Sequence, residues 1–174
     1  LFRSALRALE KAQALPTGEV GQTLPDASWN GTYTMQTGAF DPWFAVAPPG
    51  VGDLFAAFRT PEHDHPIHGF SLRITSTLVT LSLDSGAEIC ASLDGSLTER
   101  FVASPFPALG SYAATARLTE EGTLEMRIRW LNGWFETILV LVQSPDGLTI
   151  TTKKLRLNEA DNYLIKTSLA IRQV

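Results

Sequence analysis

The 174-residue sequence predicts an all-β domain in which about eight antiparallel strands close into an up-and-down barrel, preceded by one amino-terminal α-helix. Two observations predict it. Runs such as "FSLRI" (70–74), "VTLSL" (79–83) and "LEMRIRW" (124–130) alternate apolar with polar residues, as strands do when one face is buried and the other is wet. Between the runs stand turn signals: Asp84-Ser85-Gly86, Asp94-Gly95, Glu121-Gly122, Asn132-Gly133 and Asp146-Gly147. Each is expected to supply the positive-φ position of a tight hairpin. They recur about every 10 to 14 residues with no helical stretch between them, which excludes a parallel crossover arrangement.

Taken in order, residues 1–15 come first. "LFRSALRALEKAQA" places Phe2, Ala5, Leu6, Leu9 and Ala12 at helical spacing, with Arg3, Arg7, Glu10 and Lys11 opposite. Pro16 ends this amphipathic helix near Leu15. Residues 16–28, rich in Gly, Pro and Thr and without period, read as a linker. From Trp29 to Val174 the period is two, and this span is the barrel domain. Only residues 42–66 form a long irregular excursion, with Leu54 to Arg59 a candidate strand inside it. One strand breaks the alternation. "ILVLV" (138–142) is apolar on both faces, so both its sides are expected to be covered, by the amino-terminal helix or by a neighbouring domain.

Composition narrows the function classes. The length suits one domain with a sizeable core. With 44% hydrophobic and 18% charged residues the chain is charge-poor, which points to a surface partly covered by something else. A net charge of -4, with Lys153-Lys154 the densest basic pair, argues against a nucleic-acid partner. The longest purely apolar run, Ile138 to Val142, is far below membrane-spanning length. The single cysteine, Cys90, excludes an internal disulfide framework. A beginning at Leu1, without initiator methionine or signal-peptide core, reads as a piece of a longer protein.

"ASWNGTY", followed by "SYAATARLTEEGTLEMRIRW" and "ETILVLVQSPDGLTI", resembles the carboxy-terminal β-domain attached to serine hydrolases of the β-lactamase and penicillin-binding-protein family. Trp29, Gly31 and Tyr33 match the motif that opens that domain, and the resemblance covers roughly residues 29–155. It implies a non-catalytic accessory domain that packs on an upstream catalytic domain of the same polypeptide and shapes substrate access. The helix at 1–15 is then the connector from that domain. The family's catalytic motifs are not found here. No helical Ser-x-x-Lys or Tyr-x-Asn is present; Thr151 to Lys154 sits in a strand pattern, and "KTS" (166–168) has serine in place of glycine. This chain is therefore expected to be no enzyme. The same opening motif also suits lipocalin-like calycin barrels, whose interior holds a small hydrophobic ligand. Bulky inward candidates Phe70, Leu72, Leu81, Leu83, Leu124, Met126, Ile128 and Trp130 fit a packed or a hollow interior alike.

All three histidines fall in "PEHDHPIH": His63 and His65, two apart and on one side of an extended chain, and His68 beyond Pro66. Two same-side histidines can share a zinc, but a site needs a third ligand held in place and a regular spacing, which is missing. The segment reads as a solvated loop entering a strand; neither metal nor cofactor is expected. If it acts, it reaches toward the catalytic domain. Trp43, Phe44, Phe55 and Phe58 lie in the excursion, where aromatic residues mark a covered interface, and Trp134 flanks the Asn132-Gly133 turn. With His63 and His65 these are the candidate ligand-binding or interface residues. Glu125, Arg127 and Arg129 share the polar face of one strand and read as a solvated ladder, with a charged docking patch as the alternative.

Overall fold

A computed structural model describes residues 27–37, 42, 67–103, 110–119, 121–131, 135–156 and 163–173. The predicted helix at 1–15 and the linker lie outside these residues. Ten strands follow a 3-10 turn at Ala27–Trp29: β1 (Gly31–Thr37), β2 (Gly69–Ile74), β3 (Leu78–Leu83), β4 (Glu88–Ser92), β5 (Arg100–Phe101), β6 (Ser111–Leu118), β7 (Thr123–Trp130), β8 (Phe135–Ser144), β9 (Gly147–Arg156) and β10 (Tyr163–Arg172).

The sheet runs β4-β3-β2-β1-β10-β9-β8-β7-β6, and a β4–β6 pairing closes it into a nine-strand barrel. Every neighbouring pair along that order is antiparallel, and the closing Ser92↔Thr115 pair is parallel. Parity explains the departure from the expected all-antiparallel barrel. Between β4 and β6 along the sheet lie eight antiparallel steps, an even number, so the two strands must run the same way. β5, whose two residues pair with Ser111 and Tyr112, is too short to restore the alternation. The seam also relies on a side chain: the Cys90 N–H donates to the Tyr112 hydroxyl at 2.8 Å.

The opening motif closes one end of the barrel. Trp29 and Tyr33 are buried, and the Tyr33 hydroxyl donates to the Trp29 carbonyl at 3.0 Å. The Tyr33 ring stacks on Phe70 with centroids 5.2 Å apart. The Asn30 side chain accepts the Ile74 N–H at 2.6 Å, and Arg172 donates to the Ser28 and Asn30 carbonyls. At this end the strands are joined through residues 75–77, 93–99, 119–122 and 145–146, whereas β1, β3, β7 and β9 all end at the opposite rim.

Three turn signals act as expected: Gly86, Gly95 and Gly122 have φ of 84°, 76° and 74°. Asp146-Gly147 differs. Gly147 is not in the left-handed region; a Cβ there would collide with the Ala170 carbonyl oxygen, so β9 can start beside β10 only through glycine.

All eight bulky inward candidates are buried. They join Trp29, Tyr33, Val79, Ile89, Leu139, Leu141, Leu148 and Ile150 in one continuous core. The expectation that both faces of 138–142 are covered holds only in part. On the outer face Ile138 is 5% exposed and Val142 43%. Their neighbours explain the gradient. Ile138 lies between Arg127 and Lys153, whose long stems can shelter it, and Val142 lies between Thr123 and Thr149, which cannot.

Candidate functional site

Trp43, Phe44, Phe55, Phe58, His63, His65 and Trp134 all lie outside the described residues. The strands that flank them meet at one place. β1 ends, β2 begins and β7 ends at the rim opposite Trp29. His68, the described histidine, is exposed; its N–H and that of Gly69 donate to the Asp84 carboxylate at 2.8 and 3.0 Å. Its local role is to start β2 beside the β3–β4 turn. Among the described residues no group of three or more His, Cys, Asp or Glu side chains is placed to hold a metal ion.

Inside the barrel, toward the same rim, the apolar wall gives way to hydroxyls. Thr137 on β8, Thr152 on β9 and Ser168 on β10 are all buried. Register places them on a diagonal: Thr152 is opposite Leu139, two residues from Thr137, and Ser168 is opposite Ile150, two residues from Thr152. The Trp130 indole N–H donates to the Thr137 hydroxyl at 3.1 Å, and that hydroxyl donates to the Pro42 carbonyl at 2.8 Å. Pro42, itself buried, therefore lies against the inner face of β8. Thr152 is different. It is 2% exposed, and its hydroxyl has no hydrogen-bond partner among the described residues.

The outer face of β6–β8 carries the second polar cluster. Glu125 lies 3.4 Å from Arg117 and 4.0 Å from Arg127, and Arg127 reaches Glu136 at 2.7 Å. The solvated ladder expected from Glu125, Arg127 and Arg129 is only half solvated. Glu136 is 4% and Arg129 7% exposed. Burial raises the Glu136 carboxyl above its ordinary range, partly offset by Arg127 and Arg129. At the seam, burial likewise raises the Cys90 thiol and the Tyr112 phenol. A thiol raised in this way carries less of the reactive thiolate.

Sequence reasoning missed the interior hydroxyls, although a signal was there. Thr137 is in phase with Leu139 and Leu141, and Thr152 with Leu148 and Ile150, so each is a polar residue at an inward position of an otherwise apolar strand face. Among the described residues no helix is long and apolar enough to cross a membrane. No family model, curated protein or solved structure matches this chain.

Proposed function

We propose that this chain is a non-catalytic accessory barrel of a serine hydrolase of the β-lactamase and penicillin-binding-protein type, which packs on the catalytic domain of its own polypeptide and shapes access to it. The resemblance over residues 29–155 is one support. Trp29, Gly31 and Tyr33 are engaged in closing the barrel, a structural task suited to a module that must hold its shape beside another domain.

The observation that carries the reading is the packed interior. A void large enough for one water would expose the side chains around it. Leu124, Met126, Ile128, Trp130, Leu139, Leu148 and Ile150 have no accessible surface. A carrier of small hydrophobic molecules needs a cavity among such residues; an accessory module gains stability by filling it.

Two measurements test the proposal. A fluorescent long-chain fatty acid should show no saturable one-to-one binding to the isolated chain; micromolar stoichiometric binding would favour a calycin-like carrier. A fluorophosphonate or β-lactam probe should leave the mass of the isolated chain unchanged, because acyl transfer needs a hydroxyl, a base and oxyanion donors assembled together. A covalent adduct on one serine would overturn the accessory reading.

A further inference from the structure

The inward positions of β9 and β10 change character toward the rim opposite Trp29. Leu148, Ile150 and Thr152 on β9, and Ala170 and Ser168 on β10, are buried inside the barrel. The same phase continues to Lys154 and Arg156 on β9 and to Lys166 on β10. Register brings these positions together. Lys166 is opposite Thr152, Lys154 is opposite Leu164, two residues from Lys166, and Arg156 follows two residues further along β9. No acid shares their phase. On the nine strands of the barrel the acids are Glu88, Glu125 and Glu136, which alternate with the buried Ile89, Leu124, Met126 and Thr137 and so belong to the outer face. Arg172, the other cation in inward phase, stands at the opposite end and donates to the Ser28 and Asn30 carbonyls.

Cations at inward positions cost stability unless an opposite charge meets them. Lys166 is level with Thr152, which is 2% exposed and whose hydroxyl has no described partner, so the surplus of donors reaches down to a buried level. We propose that the positions of Lys154, Arg156 and Lys166, at the mouth of the barrel opposite Trp29, form a binding site for a phosphate group. Three cations on two neighbouring strands suit a doubly charged oxyanion better than a single carboxylate, and a guanidinium adds the planar donor fork that phosphate oxygens match. Lys154 and Arg156 lie one and two inward steps beyond Thr152, the last described buried position on β9, so the anion sits at the mouth and asks for no cavity in the packed core. The inference stands on register and charge and is independent of the accessory-domain reading.

The test titrates the whole 15N-labelled chain with inorganic phosphate near neutral pH at constant ionic strength. Backbone amide signals of residues 152–156 and 164–168 should shift saturably. Chloride at matched ionic strength should not reproduce the shifts, and acetate should bind more weakly than phosphate. Lys154→Gln and Lys166→Gln should each weaken phosphate binding about tenfold, the worth of one hydrogen bond to a charged group. Lys153→Gln removes the same charge one residue away, at the outward position opposite Ile138, and should leave binding unchanged. Lys154→Arg and Lys166→Arg, which keep the charge, should retain binding and serve if the glutamine variants do not fold. No saturable shift up to the solubility limit, an equal response to chloride, tighter binding of acetate, unchanged binding in both inward glutamine variants, equal weakening by Lys153→Gln, or loss of binding in the arginine variants would each overturn the proposal.

Discussion

The Arg127 guanidinium and the Glu136 carboxylate meet at 2.7 Å on the outside of the barrel, yet Glu136 is almost fully buried and Arg127 only partly. Burial wins over pairing: the carboxyl of Glu136 titrates above its ordinary value in spite of two nearby guanidinium groups.

That direction sets a pH dependence. A carboxyl with a raised folded-state pKa binds its proton more tightly in the folded chain. Its contribution to stability is therefore fully present below the ordinary carboxyl pKa and is lost as pH rises through the raised value. Glu136→Gln removes this slope. Measured by thermal unfolding from pH 4 to pH 8, the melting temperature of the variant relative to wild type should climb with pH. A relative fall would show that the ion pair with Arg127 outweighs desolvation.

The two interior threonines should respond to the same substitution with opposite signs. Thr137→Val removes the hydroxyl that accepts from the Trp130 N–H and donates to the Pro42 carbonyl, and should cost about 1–3 kcal/mol. Thr152→Val strands no described group and removes a hydroxyl that has no described partner, so it should stabilise by roughly 1 kcal/mol. Urea midpoints at unchanged m-value measure both. A loss of stability in Thr152→Val would mean that its hydroxyl is satisfied in solution.

Glycine to alanine should distinguish lack of space from backbone strain. At Gly86 a Cβ meets open space, and only the positive φ is penalised, by about 1–2 kcal/mol. At Gly147 the Cβ would run into the Ala170 carbonyl, so the β9–β10 pairing itself has to shift. Gly147→Ala should be the more damaging of the two in chemical denaturation. Equal costs would show that β10 moves aside easily.

Tyr112→Phe probes the seam. Without the phenol the Cys90 N–H loses its described partner where β4 and β6 share one bridge, at a cost of about 1–2 kcal/mol. Cys90 is the chain's one cysteine, so thiol labelling reads this place alone. Labelling under native conditions should speed up several-fold in the variant. An unchanged rate would mean that the seam is held by other contacts.

Much of the barrel was legible in the residues alone. Phe70, Leu72, Leu81, Leu83, Leu124, Met126, Ile128 and Trp130 could be assigned to the inside because a strand's period of two is a local property. The turns at Gly86, Gly95 and Gly122 were legible for the same reason, since positive φ is demanded within the turn itself. The interior hydroxyls were half legible: parity turns Thr137 and Thr152 inward, but says nothing of which has a partner. That was decided by Pro42, 95 residues away along the chain from Thr137. Tertiary structure alone decided three further matters. The barrel closes in parallel, because closure depends on the total number of strands and on β5 being only two residues long. Gly147 is glycine because of Ala170 on another strand. Glu136 and Arg129, polar residues at outward positions, are buried, while Val142, apolar and outward, is exposed. In each case the deciding contact joins residues distant in sequence, and spacing along one strand carries no information about what lies across or above it.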